Sequence, residues 1–217
     1  MKILIASRNP HKIREISEIF MLPSLEFAGL DQYPGLPEVL EDGATFQENA
    51  VQKAMTMALA TRQWTMADDS GLEVDALDGE PGVRSARYAG EPSDTAANNR
   101  KLLMALAGRA TRSARFRCVI ALASPSGRAQ LVEGSCEGVV LTESRGTGGF
   151  GYDPLFQPAG YAATFAEMDA GEKNRISHRA AALRRALDAW GRMLASNPAE
   201  WCADRRFGKL RLEPDPG

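Results

Sequence analysis

Two aspartates stand side by side at Asp68 and Asp69, followed by Ser70 and Gly71. The tetrapeptide reads as a turn between two short strands, where adjacent carboxylates repel one another. A divalent cation would offset that repulsion, and Mg²⁺ takes one or two carboxylates and leaves the rest of its shell to water and phosphate. A carboxylate left off the metal can serve as general base toward water. The plainer reading is a surface turn in which Asp and Ser cap the backbone. Glu41 has no capping role and is a further metal-ligand candidate. Glu48, three residues after Thr45, is explained as the far member of a capping box.

Cations recur at predicted helix starts, the end that repels them. Ser7, Arg8, Asn9, Pro10, His11 and Lys12 lie at a strand-to-helix junction. Such a junction offers unpaired N–H groups to an anion, although it lacks the G-x-x-x-x-G-K pattern of a phosphate loop. Lys173, and then His178 and Arg179 directly after Ser177, repeat the pattern. Each alone is an ordinary solvated cation; two such starts point to an anionic ligand. Between them, Gly146–Asp153 (GTGGFGYD) sets Phe150 among glycines, where it has little to pack against. An aromatic ring in such a loop can stack a nucleobase. Tyr152 fits the core equally well.

The elements that must hold these residues follow from periodicity. Lys2–Ala6 is a short apolar strand. Asn9 then caps a helix over Pro10–Met21, with Pro10 at its first position and Ile13, Ile16, Ile19 and Phe20 along one face. Pro23–Gly43 is irregular, with at most one short strand. Thr45 opens a second helix with Phe46, Ala50, Ala54 and Met57 on one side. A strand near Trp64–Ala67 precedes the Asp-Asp-Ser-Gly turn, and an alternating segment with Leu72, Val74 and Ala76 inward follows it. Asp94 caps a helix that ends at Gly108. Arg115–Ala123 and Ala129–Glu137 form a hairpin across Ser-Pro-Ser-Gly, with Phe116, Cys118, Ile120 and Leu122 inward. Ser177 caps the last long helix, striped by Leu183, Leu187, Trp190 and Leu194. Strands interspersed with helices predict one α/β domain with a mixed sheet over residues 1–196. Residues 197–217 lose periodicity and read as a tail.

In a chain of 217 residues, 26 Lys+Arg against 28 Asp+Glu give a net charge of −2. That is too few cations for a nucleic-acid-binding protein, which must neutralise many phosphates. With 44% hydrophobic and 25% charged residues the composition is that of a soluble globular protein. No run approaches the roughly 20 apolar residues that span a bilayer, and the opening MKILIAS is no signal peptide. Cys118, Cys136 and Cys202 follow no C-x-x-C spacing, so neither a zinc site nor a disulfide framework is expected. A reducing compartment, the cytoplasm, fits best.

Ordered along the chain, the motifs resemble the noncanonical purine nucleoside triphosphate pyrophosphatase family, also called inosine triphosphatase-like. The matching residues are Ser7-x-Asn9-x-x-Lys12-x-x-Glu15, Glu41-x-Gly43-x-Thr45-Phe46-x-Glu48-Asn49-Ala50, and Asp68-Asp69-Ser70-Gly71-Leu72. Pro81-Gly82, Ser85-Ala86-Arg87-Tyr88, Gly146–Pro154 and Ser177-His178-Arg179 continue the series. Ser7 stands where the family commonly has Thr, which keeps the hydroxyl. The resemblance implies an elongated mixed β-sheet with flanking helices, two lobes around a nucleotide-binding cleft, and homodimers. It implies Mg²⁺-dependent hydrolysis of ITP, dITP and XTP to the monophosphate and pyrophosphate. By position, Ser7–Lys12 would bind the triphosphate and Glu41 and Asp69 the metal. Asp69 would also activate water, and Ser70 would help hold the substrate. Phe150, Gly151, Tyr152, Asp153, Lys173, His178 and Arg179 would read the base. A protonated His178 with Arg179 would present donors only, which match a 6-oxo purine and refuse adenine.

Overall fold

The structure, a computed structural model, describes residues 1–37 and 39–196. The tail over 197–217, with Cys202, lies outside them. Six strands form one mixed sheet: β1 (Lys2–Ile5), β2 (Glu26–Gly29), β3 (Thr65–Val74), β4 (Ser113–Ala123), β5 (Ala129–Val140) and β6 (Phe156–Pro158). Their order is β2-β1-β3-β4-β5-β6. β1 runs parallel to β2 and β3, and every later pair is antiparallel.

The expected caps hold. Asn9 Oδ1 accepts from the backbone of His11 and Lys12 at the start of α1 (Pro10–Ile19). Thr45 and Glu48 form a complete capping box on α2 (Phe46–Thr61). Asp94 caps α3 (Thr95–Ala105) and Ser177 caps α5 (His178–Ala195); a short helix that was not expected, α4 (Ala170–Ile176), is capped by Asp169.

One sequence expectation fails in an informative way. Thr65–Val74 is a continuous ten-residue strand, with Asp68, Asp69, Ser70 and Gly71 paired in register to Ile120, Val119, Cys118 and Arg117 of β4. There is no turn at the aspartates. Side chains alternate across a strand, so Asp68 shares a face with Met66 and Asp69 shares the other with Ala67. Met66 packs against α1 and α5 and Ala67 against α2. The two carboxylates therefore point to opposite sides of the sheet. The same two-sided cover buries Val119 and Ala121 of β4 as fully as Cys118 and Ile120, so that strand is not the half-exposed one its alternation predicts.

A third apolar cluster, built on Leu72, Val74, Phe116, Tyr152, Phe156 and Phe165, fills the far end of the sheet. The clusters against α1, α2 and α5 make one lobe and this one makes the other, with the aspartates near the junction. α5 reaches the junction because β5 has no side chain at Gly134. A Cβ there would stand 2.3 Å from the Ala182 nitrogen and 2.4 Å from the His178 carbonyl oxygen. Gly134→Ala should lift the first turn of α5 and lose about 1–3 kcal/mol or more, the range for overpacking. A lowered urea midpoint would show it, and an unchanged midpoint would mean that α5 has slack. No described helix is long and apolar enough to cross a membrane.

Candidate active site

The two faces of β3 carry two different constellations. On the α1/α5 face, Asp68 is buried, and its Oδ2 receives Lys12 Nζ at 3.1 Å, Ser70 Oγ at 3.2 Å and Arg179 Nη2 at 3.0 Å. Burial works to raise its pKa, but the Lys12, Arg179 and Lys53 charges outweigh that and hold it far below the carboxylate range. Arg179 also donates through Nε to Asp68, through Nη2 to Ser70 at 2.9 Å and through Nη1 to Glu15. Lys173 in turn bridges Glu15 at 3.1 Å and Asp153 at 2.7 Å. The result is an alternating buried chain, Asp153–Lys173–Glu15–Arg179–Asp68–Lys12. It pairs every charge, as burial demands, and ties the glycine loop of one lobe to Asp68 on β3.

This corrects the inference drawn from cations at helix starts. The anions that hold Lys12 and Arg179 are the protein's own, Asp68 and Glu15. Lys12 is mostly covered instead of sitting in an exposed first turn. Lys173 is not at the start of a long helix but in the last turn of α4, the favourable end for a cation. Arg179 commits four of its five N–H groups to Asp68, Ser70 and Glu15, and is a tie between elements before it is a reader of bases.

On the α2 face, Asp69 is buried and gripped at both oxygens. Lys53 Nζ lies 3.1 Å from Oδ1 and Asn49 Nδ2 donates to Oδ2 at 3.1 Å. Burial raises the Asp69 pKa despite the Lys53 and Lys12 charges, a shift that suits a base. Lys53 Nζ is also 3.1 Å from Glu41 Oε1, so the Glu41 and Asp69 carboxylates converge on one cationic point. The sequence reading passed over Lys53 and quoted Asn49 only as part of a motif. Their signal was there: a lysine and an asparagine one turn apart inside the buried stripe of α2, where charged residues are rarely found unpaired.

A cavity of about 330 Å³ opens over this face, lined by Ser7, Arg8, Lys12, Glu41, Lys53 and Asp69. It shares Asn9, Lys12, Ser70 and Ala86 with a second cavity of about 530 Å³ that runs toward the glycine loop. That second space is aromatic. His11 and Phe150 stack at 5.2 Å, and His178 stacks on Phe116 at 4.7 Å. Lys173 Nζ sits 4.7 Å from the Phe150 ring centre. Asp153 Oδ2 accepts from the Phe150 backbone at 2.8 Å. A Cβ on Gly149 (φ +68°) would fall 2.0 Å from that oxygen, so the loop needs glycine there. Gly151 follows at φ +63°. Tyr152 is a core anchor: it is buried and donates to the Ser85 carbonyl at 2.9 Å. The expected site residues are thus gathered along one cleft.

His178 departs from expectation. Burial, with Arg179 and Lys173 adding to it, drives its pKa well below the usual histidine value, so the imidazole is neutral and offers an acceptor as well as a donor. Its Nδ1 is buried and without a partner among the described residues. Because the folded pKa lies below the unfolded one, the unfolded chain takes up the extra proton as pH falls, and stability rises with pH through this window. Lowering the pH from 7 to about 5 should lower the urea midpoint through this group, and His178→Gln should flatten that slope. An equal slope in both proteins would show that His178 titrates alike in the folded and unfolded chain.

Comparison with known proteins gives one answer. The model of the Ham1 family matches residues 3–189. The chain is 52% identical over 195 residues to the dITP/XTP pyrophosphatase of Desulforamulus reducens, covering 89% of this chain and 97% of that one. It is 48% identical over 192 residues to the dITP/XTP pyrophosphatase of Geobacter sulfurreducens, covering 88% and 96%. Among solved structures it is similar to the Staphylococcus aureus Ham1 protein (TM-score 0.80, 39% identity, 88% of this chain and 98% of that one). It is equally similar to a HAM1 protein from Coxiella burnetii (TM-score 0.81, 39% identity, 88% and 99%). With matches of this extent over the strands and loops that build the cleft, the chain belongs to the Ham1 family.

Proposed function

We propose that this chain hydrolyses noncanonical purine nucleoside triphosphates (ITP, dITP and XTP) to the monophosphate and pyrophosphate, with Mg²⁺, as a cytoplasmic homodimer that clears the nucleotide pool. Residues 1–196 are the catalytic domain in this reading. The observation that carries it is the joined pair of cavities: one charged and floored by a carboxylate of raised pKa, the other lined by aromatic rings. The names of the relatives from D. reducens and G. sulfurreducens agree with it.

Asp69 is the base. Its carboxylate is held at a fixed angle by Asn49 and Lys53, and burial keeps it ready to accept a proton from water. Lys12, Lys53 and Arg8 line the triphosphate side, where preorganised cations favour charge that builds on transferring phosphoryl groups. The base lies between the His11–Phe150 pair and the His178–Phe116 pair.

The donor set suits Mg²⁺. Glu41 and Asp69 are hard oxygen donors that converge on one point, already taken by the Lys53 ammonium. Among the described residues no group of three or more His, Cys, Asp or Glu side chains could hold a metal alone. Two carboxylates completed by substrate phosphate is the usual arrangement for this ion, and when bound it neutralises phosphate charge.

Because His178 is neutral, a donors-only site does not explain refusal of adenine. Measuring kcat/KM for ITP, XTP, dITP, GTP and ATP, with the products identified, tests the proposal. Preference for the first three with pyrophosphate as product supports it; release of inorganic phosphate, or equal use of ATP, contradicts it.

A further inference from the structure

We propose that Asn49 is a positioning residue that sets the spacing of the Glu41 and Asp69 carboxylates and thereby the affinity of the site for its divalent cation. The inference rests on the reading of those two carboxylates as the metal-holding pair.

Glu41 belongs to a stretch, residues 39–45, without helix or strand ahead of α2, so nothing in the sheet fixes its distance from Asp69. Asn49 supplies the missing link. It is 1% exposed, and its two amide ends face in opposite directions. Nδ2 donates to Asp69 Oδ2 at 3.1 Å, and Oδ1 accepts from the Gly43 backbone N–H at 2.9 Å. Gly43 is two residues from Glu41. The approach is close: a Cβ on Gly43 would lie 2.7 Å from Asn49 Oδ1.

One turn further along α2, Lys53 completes a ring by touching Asp69 and Glu41 at 3.1 Å each. The Arg87 guanidinium donates to the Glu41 carbonyl from the other side. Lys53 is a cation at the point where a metal would compete with it, so it cannot set the spacing in both states. Asn49 is uncharged, holds the backbone of the loop and not its carboxylate, and is free to keep doing so with a cation present. The side chain also has the right polarity at each end. Aspartate would set a second carboxylate against Asp69, and leucine, of similar size, would satisfy neither partner.

The test uses the full chain, Mn²⁺ as metal probe, and inosine 5′-(α,β-imido)triphosphate, which resists cleavage at that bond. Free Mn²⁺ is followed by electron paramagnetic resonance and thermal midpoints are recorded alongside. Asn49→Leu should weaken Mn²⁺ binding about 10- to 100-fold, the range for groups that orient metal ligands. In a Glu41→Ala background the same substitution should change it less than about threefold, because residues that act through one another are not additive.

If Asn49→Leu does not fold, Asn49→Ser, too short to span both partners, takes its place in the same cycle. A lowered midpoint with Mn²⁺ affinity intact would overturn the proposal, as would an equal loss with and without Glu41. Should Glu41→Ala and Asp69→Asn each leave Mn²⁺ binding unchanged in the parent chain, the metal reading itself fails. The role of Asn49 then falls with it.

Discussion

Asp69→Asn should still bind nucleotide and should release pyrophosphate about 10²- to 10⁴-fold more slowly, the loss that follows removal of a general base. Asparagine is nearly the same shape, and Lys53 keeps its second partner in Glu41, so the fold of the α2 face has little reason to change. What disappears is the ability to take a proton from water and, with Mg²⁺ in place, one hard oxygen donor. Titration calorimetry with an uncleavable analogue separates binding from turnover. Turnover within a few-fold of the parent would move the base elsewhere, with Glu41 first in line because it is the other carboxylate at the Lys53 ammonium.

Arg179→Ala should be the most damaging substitution to stability. It strips one of two cations from buried Asp68, which keeps Lys12, and leaves Glu15 with Lys173 alone. Breaking a buried ion pair from one side costs about 3–5 kcal/mol, a large share of the roughly 5–15 kcal/mol that holds a domain folded. The structure also changes what is expected of catalysis. A reader of the purine would, when lost, spoil ITP more than ATP. A tie that holds Asp68, Ser70 and Glu15 in one frame should lower kcat/KM for ITP, GTP and ATP by similar factors. Denaturant titration and the three kinetic constants, measured together, distinguish these. A selective loss on ITP would return Arg179 to the base pocket.

The helix starts were legible in the sequence because capping is local chemistry. Asn9, the Thr45–Glu48 box, Asp94 and Ser177 each act within three residues of themselves, and no distant contact needs to be known. The hairpin at Ser124–Gly127 is of the same kind. Asp68–Gly71 was misread because its composition is that of a turn, while its structure is decided by partners far along the chain. The β4 ladder supplies backbone bonds. Lys12, Arg179 and Lys53, at separations of 16 to 111 residues, absorb the charge that made a strand look unfavourable. Tertiary context overrode local preference.

The same distance effect explains the rest. Glu15 appeared in the sequence only as a motif letter, although it joins two buried cations, and Lys53 lay unnoticed inside an alanine-rich stripe. The protonation of His178 could not be read from its place after a helix cap, since burial against Phe116 and two neighbouring cations decides it. Motif order identified the residues of the cleft; only packing showed which of them hold one another and which are left to face a substrate.

In the proposed function, two adjacent carboxylates turned to opposite faces of one strand do different work. Asp68 is the structural tie and Asp69 the reactive group. Measuring thermal midpoint and pyrophosphate release for Asp68→Asn and Asp69→Asn side by side tests this most directly. Asp68→Asn should unfold at markedly lower temperature, because Lys12 and Arg179 lose their shared anion. Asp69→Asn should keep a midpoint near that of the parent while its turnover all but disappears. A stable Asp68→Asn together with an Asp69→Asn that still turns over ITP would contradict this division of roles.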